Sequence, residues 1–385
     1  MHQTLPVQRT MRNSFAWPIA LACGAALMAL LLIYQTRQGQ PATNPANTML
    51  SSTRIVLNGK KIFPIGLYHV SWAGTPQQKH DALEKIGAAG FNLMHPALDS
   101  NDMDFVKRAA ELGVNLIIEP NEPNGNGTRD VIEAFKDEPN VLGWLVADDF
   151  NSESHVKTPQ TIQEQVDLVK SIAPNQHTYM SGNTRTLDAF VGLTDMIGIQ
   201  TYSIPTEALS VTDQMLSYSL THTAPNNVSL IANLQSWSAT NRRAPRPDEV
   251  RNITYQALIN GVDGILYYTY LDPTWNLEDH PKLWAELTRI ASEVQVLTPA
   301  ILNGTLRTID SGLPEVRIGQ WSYNEQRYVV IINMTSNPVT KFSLELPEVT
   351  QITPLFEDRP TPLTLVNGVI VGNLGPTSVY VYLVE

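Results

Sequence analysis

The sequence predicts an α/β fold, a (β/α)8 TIM barrel followed by an antiparallel β-sandwich, and three observations carry that prediction. Short, continuous apolar runs alternate with amphipathic helical stretches over residues 54–300. The alternation stops near Ile301, and strand-like segments then follow one another with only turn residues between them. No Gly-rich phosphate fingerprint follows any strand, which disfavours a doubly wound open sheet, the main competitor.

Ahead of the barrel, Phe15–Tyr34 is an uncharged apolar run of about 20 residues, enough to cross a bilayer as a helix. Arg9 and Arg12 before it and Arg37 after it bias residues 1–14 toward the cytoplasm. A cleaved signal peptide is the alternative, but the run is long for one and lacks a clear small-x-small cleavage site. The single cysteine, Cys23, lies inside the run, where packing is its expected role. Apolar residues continue past it through Leu30-Leu31-Leu32-Ile33, which argues against a lipid-modified N-terminus. Residues 35–53 are polar and Pro/Asn-rich, as a linker is. The folded body is therefore expected outside the cytoplasm, tied to the membrane by residues 15–34.

Asn58-Gly59 marks a hairpin in RIVLNGKKIFPIG. Eight runs follow, at 63–68, 91–94, 114–118, 141–147, 177–182, 195–202, 228–234 and 262–268. They are short and β-branched or aromatic, as parallel strands covered on the outside by helices are. Between them, stretches such as PQQKHDALEKIGAAG, NDMDFVKRAAELG, TPQTIQEQVDLVKSIA and RPDEVRNITYQALINGVDG space apolar residues by three and four, and Gly often closes the helix. Eight such units in about 240 residues form the (β/α)8 signature. From about Ile301, VRIGQWSY, RYVVIINMT, KFSLEL, ITPLFE, GVIVGNL and SVYVYLVE read as strands of a small sandwich over 301–385. No Gly/Ser-rich linker precedes it, so it should pack on the barrel.

With 385 residues, 43% of them hydrophobic, the chain can bury a large core, and a net charge of −11 argues against a nucleic-acid surface. In a (β/α)8 barrel the chemistry is built at the C-terminal ends of the strands. Those ends carry Tyr68-His69, His95, Glu119, Asp148-Asp149, Asn183, Tyr202, Gln235 with Trp237, and Tyr268 through Tyr270 to Asp272. This rim is acidic and lined by amides and aromatics, with almost no Lys or Arg. It suits a neutral, hydroxyl-rich ligand, because aromatic faces stack on sugar rings while amides and carboxylates bind hydroxyls. A phosphate would need donors that the rim lacks. No Cys/His cluster has zinc-site spacing, and His69, His95 and Glu119 sit on three separate strands, so no metal or cofactor is indicated. His69 and His95 read as hydrogen-bonded scaffold ahead of ligands or bases, and Trp144, in mid-strand, belongs to the core.

The stretch GWLVADDFN, residues 143–151, ends its strand in two adjacent carboxylates, and no turn needs both. Strand ends of this kind resemble the clan-A-type (β/α)8 glycoside hydrolase superfamily, whose fourth strand ends in an Asn-Glu pair with the Glu as general acid/base. A closer likeness is to members whose strand-4 motif reads GWYLADEP. FKDEPNVLG before the pair, DMIGIQTYSIP, LIANLQSW, the long run RAPRPDEVRNITYQALINGVDGILYYTYLDP and the closing GPTSVYVYLVE share in it, so the likeness spans nearly everything after the linker. The resemblance implies a hydrolase of poly- or oligosaccharide, with Asp149 as general acid/base beside Asp148.

Two departures stand out. Asp149 is one methylene shorter than Glu, and Gln235 occupies the strand-7 place of the Glu nucleophile. An amide cannot form the glycosyl ester of a retaining reaction. Three readings stay open. Glu119 or Asp272 can serve as base of an inverting reaction, where a wider separation leaves room for water. Alternatively, the pair works as in substrate-assisted hexosaminidases, one carboxylate orienting a 2-acetamido group and the other protonating the leaving oxygen; adjacent carboxylates split their pKa values in the sense that this needs. In the third reading the chain binds glycans, or helps to assemble them, without cleaving them.

Overall fold

The computed structural model describes residues 49–50, 55–70, 74–121, 127–152, 157–239, 242–356, 359 and 362–385, without the side chains of residues 49, 50, 69 and 70. The expected anchor, residues 15–34, and the segment 1–14 expected in the cytoplasm lie outside the described residues. Among the described residues no helix is long and apolar enough to cross a membrane. Residues expected at the end of the linker form a short strand instead: Met49–Leu50 pairs antiparallel with Thr305–Ile309. Two apolar residues closing a polar run thereby cover an otherwise open sheet edge.

Eight parallel strands close into a barrel: β1 (Ile65–Val70), β2 (Leu93–Leu98), β3 (Asn115–Pro120), β4 (Val141–Ala147), β5 (His177–Gly182), β6 (Met196–Thr201), β7 (Ser229–Gln235) and β8 (Gly264–Tyr268). Each lies beside the next in sequence, and β8 returns to β1 with Tyr268 against Tyr68. The helices between them are α1 (Pro76–Ala88), α2 (Met103–Glu111), α3 (Gly127–Phe135), α4 (Pro159–Ile172), α5 (Ser210–Thr223), α6 (Pro247–Asn260) and α7 (Pro281–Asn303). Proline at the first helical position starts α1, α4, α6 and α7, where its missing N–H has no intrahelical partner to lose. Thr75 caps α1 in a reciprocal capping box with Gln78.

The eighth helix implied by the repeating unit is absent between β5 and β6. That link holds only a 3-10 turn, Leu187–Ala189. Thr186 (φ 55°) and Gly192 (φ 93°) both adopt left-handed backbone in this short link, which interrupts any continuous helical run.

Inside the barrel, Leu93, Ile117, Leu142, Leu145, Tyr179, Met196, Ile231 and Leu266 form a separate apolar plug. The predicted hairpin, Val56–Leu57 with Lys60–Lys61, seals its N-terminal end. Ile55, Leu57 and Ile62 join the plug, and Asn58 Nδ2 donates to the Pro139 carbonyl at 2.8 Å.

Because α7 continues to Asn303, the sandwich begins a few residues beyond Ile301. Its strands are β9 (Thr305–Ile309), β10 (Val316–Tyr323), β11 (Gln326–Asn333), β12 (Val339–Glu345), β13 (Ile352–Pro354), β14 (Thr364–Val366), β15 (Val369–Leu374) and β16 (Val379–Val384). One sheet runs Met49–Leu50, β9, β10, β11, β16, β13, and the other runs β12, β15, β14. Both faces of the larger sheet are covered, so its strands are apolar on alternate positions of each kind. Val329, Ile331, Tyr380 and Tyr382 face the second sheet, whereas Val330, Ile332, Val379 and Val381 join the barrel's outer core. α6 lies between barrel and sandwich, and every residue from Glu249 to Asn260 is buried. A Cβ on Gly319 would come within 2.6 Å of Ile259 on that helix, so the close approach requires glycine there. Asn252 Nδ2 donates to the Asn333 and Thr377 carbonyls at 2.8 and 3.0 Å, and Arg317 Nε meets Asp213 at 2.9 Å. The sandwich is thus stitched to the barrel by buried polar bonds as well as by apolar area.

Candidate active site

The two carboxylates of the strand-4 motif face different surroundings. Phe150 is fully buried, packs 4.8 Å from Phe190, and its N–H donates to the Ser181 carbonyl at 3.0 Å. Between this anchor and the strand, Asp149 adopts a left-handed φ of 47° and is exposed, while Asp148 is half-buried. Aspartate tolerates this backbone region better than most side chains.

Asp148 Oδ1 accepts from the Tyr68 hydroxyl at 2.5 Å and also from the Ser181 hydroxyl. The Tyr68 and Ser181 oxygens are themselves 2.8 Å apart. Gln200 Nε2 donates to Asp149 Oδ1 at 2.8 Å and to Ser181 Oγ at 3.2 Å. One hydrogen-bonded network therefore joins both aspartates through β1, β5 and β6. Burial, then the charge of Asp148, hold the Tyr68 phenol well above its ordinary pKa, so it remains a donor.

Beneath this network, the Tyr179 hydroxyl donates to Asn233 Oδ1 at 2.9 Å. It occupies space left by Gly198, where a Cβ would fall 2.0 Å from the phenol oxygen. The mouth wall is aromatic. Tyr268 stands 5.9 Å from Tyr68, 5.7 Å from Tyr202 and 5.5 Å from Trp237, and Tyr202 stands 5.7 Å from Trp237. Burial and then the Asp148 charge raise the Tyr202 pKa, while burial and then its bond to Asp272 raise that of Tyr268. The site therefore offers neutral phenols and an indole around two carboxylates, as a polyhydroxylated ligand requires.

Asp148, Asp149, Tyr68, Tyr202, Trp237 and Tyr268 come together as the strand ends implied. Asp272 joins through its 2.7 Å bond from the Tyr268 hydroxyl, its other oxygen accepting from Thr274 N–H at 2.8 Å. Glu119 is half-buried at the end of β3, beside Ala97 of β2. His95 is fully buried with its ring 4.4 Å from Tyr68, a scaffold position. The side chain of His69 lies outside the described residues.

Two expectations need correction. Gln235 is 1% exposed, and its amide is engaged by backbone: it donates to the Ile204 and Trp237 carbonyls at 2.7 and 3.0 Å and accepts from Ile204 N–H at 2.9 Å. It is a staple for the loop after β6, not a ligand-binding group. Tyr270 is buried against Trp284 and donates to Glu278, away from the mouth. Asn183 turns its side chain to Arg185, accepting from that residue's N–H at 2.8 Å. Ser181 and Gln200 are the residues that the strand-end reading missed. Their signal is the two-residue alternation Tyr179/Ser181 and Gly198/Gln200, which points them into the barrel.

Among the described residues no group of three or more His, Cys, Asp or Glu is placed to hold a metal ion.

The fold is that of a (β/α)8 barrel protein, an architecture shared with glycoside hydrolases of solved structure. Solved structures of that architecture superpose over most of the chain. The glycoside hydrolase family 30 subfamily 8 xylanase Xyn30A from Clostridium acetobutylicum matches with a TM-score of 0.54 at 12% identity, over 88% of this chain and 99% of its own. Amy13B from Eubacterium rectale matches with a TM-score of 0.57 at 12% identity, over 87% and 99%. The α-amylase of Geobacillus thermoleovorans, complexed with acarbose, matches with a TM-score of 0.54 at 14% identity, over 84% and 98%. Identities this low establish a common fold. No protein-family model matches the chain, and no curated protein sequence matches it.

Proposed function

We propose that the protein is a glycoside hydrolase acting on a poly- or oligosaccharide, with Asp149 as proton donor and Asp148 as the carboxylate that orients the reacting group. The single observation supporting this reading is the Tyr68–Asp148–Ser181–Gln200–Asp149 network. It fixes one carboxylate from below and turns its neighbour outward at the mouth of the barrel. That division matches a substrate-assisted reaction on a 2-acetamido sugar, in which no strand-7 carboxylate is required. Residues 15–34 would tether the body on the outer side of a membrane, next to extracellular or cell-surface glycan.

A second reading, glycan binding without cleavage on a degenerate hydrolase barrel, draws on the engagement of Gln235 by backbone at the strand-7 place. The two readings are separated by hydrolysis of acetamido and plain polysaccharides with wild type and Asp149→Asn. The substitution preserves shape and removes the proton, so activity should fall by about 10²–10⁴-fold while binding survives. Binding by both proteins with no cleavage by the wild type leaves the non-catalytic reading in place.

A further inference from the structure

Away from the barrel mouth, a cleft of about 270 Å³ opens where the loop after β6 and the start of α6 meet the sandwich. Its polar lining is preorganised. Glu249, 6% exposed at its side chain, accepts two 2.7 Å bonds from Arg243 and a 3.0 Å contact from Arg246. Arg243 directs three of its N–H groups to Glu249 and the Ala244 carbonyl; a guanidinium has five, so donors are left for a ligand. Arg243 and Arg246 are balanced by Glu207 and Glu249 in the same lining, so the cleft has no net formal charge to attract an anion. Ser336 adds a hydroxyl from the sandwich, the Thr335 hydroxyl being engaged by Asn333 and Asn337, while Ile204, Pro205, Leu209 and Met334 supply apolar surface.

Arginine donors, the Glu207 carboxylate and the Ser336 hydroxyl beside apolar side chains match a pyranose ring, which has a C–H face and a hydroxyl rim. The volume lies near the lower limit for small-molecule sites, about 300 Å³, the scale of a mono- or disaccharide. The loop at 202–209 serves both places: it carries Tyr202 to the mouth and Ile204 through Leu209 to the cleft, and Gln235 pins it at Ile204.

We propose that this cleft is a second carbohydrate site, taking a neutral mono- or disaccharide unit of the same glycan that enters the barrel mouth. The inference rests on the glycan reading of the mouth, and its test keeps the two apart. Full-length protein in detergent is titrated calorimetrically with chito-, xylo- and malto-oligosaccharides, and with the corresponding polysaccharides. Ala208→Trp and Ser336→Trp each place a bulky ring in the cleft from an exposed position; Trp237→Ala removes a mouth platform. Both cleft variants should reduce the stoichiometry for a short oligosaccharide from two to one. They should also weaken binding of a spanning polysaccharide by about 10²-fold, the gain that linked sites provide. Wild-type stoichiometry and affinity in both cleft variants, with binding lost in Trp237→Ala, would overturn the second site and leave the mouth reading intact. Absence of binding to any of these glycans by wild type would remove both.

Discussion

Replacing Gln235 by glutamate puts a carboxylate at the strand-7 place that the sequence resemblance gives to a nucleophile, and the surroundings of Gln235 determine what it does there. The native amide donates to two carbonyl oxygens, of Ile204 and Trp237, from a position 1% exposed. A glutamate has no donor when ionised and one when protonated. A buried carbonyl left without its donor costs about 1–3 kcal/mol, and the Ile204 bond is buried while the Trp237 bond is part-buried, so the protonated variant should lose up to about that much and the ionised variant more. Burial and two facing oxygens disfavour the charge, so the folded-state pKa of this glutamate must exceed its unfolded value of roughly 4.3. Above that pH the unfolded chain releases its proton first, and the unfolded state then binds fewer protons than the folded one. Stability relative to wild type therefore falls as pH rises, by about 1.4 kcal/mol per unit until the folded pKa is passed. Urea melts at intervals from pH 4 to pH 8 read this directly, and hydrolysis assays should find no gain in activity. A stability difference that is flat with pH, or under about 1 kcal/mol throughout, would refute the staple role of Gln235.

Three other substitutions or truncations probe the rest of the architecture. Gly198→Ala should cost about 1–3 kcal/mol in a urea melt by overpacking, and Tyr179→Phe in the same chain should return part of it, because the phenol oxygen is the atom met at 2.0 Å. Asn252→Leu leaves the Asn333 and Thr377 carbonyls without a donor, at about 1–3 kcal/mol each, and limited proteolysis should then release the sandwich faster than in wild type. Deleting residues 1–40 should yield a folded protein that stays monodisperse without detergent by size exclusion, since Met49–Leu50 and everything described after it are retained; aggregation would count against the anchor assigned to residues 15–34.

Most of the fold was legible because its strands are short apolar blocks, punctuated by helices of which four start on proline. All eight runs became barrel strands, and the Asn58-Gly59 turn sits at the tip of the hairpin that seals the barrel. The link between β5 and β6 departs from the repeat, because left-handed residues at 186 and 192 interrupt a continuous helix there. Aromatics at strand ends could not be sorted from sequence alone. Tyr268 and Tyr270 are two residues apart, yet one lines the mouth and the other packs on Trp284. The backbone after Tyr268 leaves the sheet, and strand alternation no longer applies. Gln235 shows the same limit: its position on the inward face is readable, but two of the three backbone groups that engage it belong to Ile204 in another loop.

The paired aspartates show most clearly where a period-two argument stops. Leu145 belongs to the apolar plug inside the barrel, so strict alternation would send Ala147 and Asp149 inward and Asp148 out. The pairing of β4 with β5 shifts register between Leu145 and Ala147, and Ala147 packs instead in the outer core. An irregularity of this kind re-aims the side chains that follow it. Asp148 consequently meets the inward-pointing Tyr68 and Ser181, and the left-handed turn carries Asp149 over the rim toward Gln200. Two neighbouring residues thus occupy unlike positions, one gripped from beneath and one presented outward. A single carboxylate at the end of β4 could take either place, but it could not be held from below and face solvent at the same time.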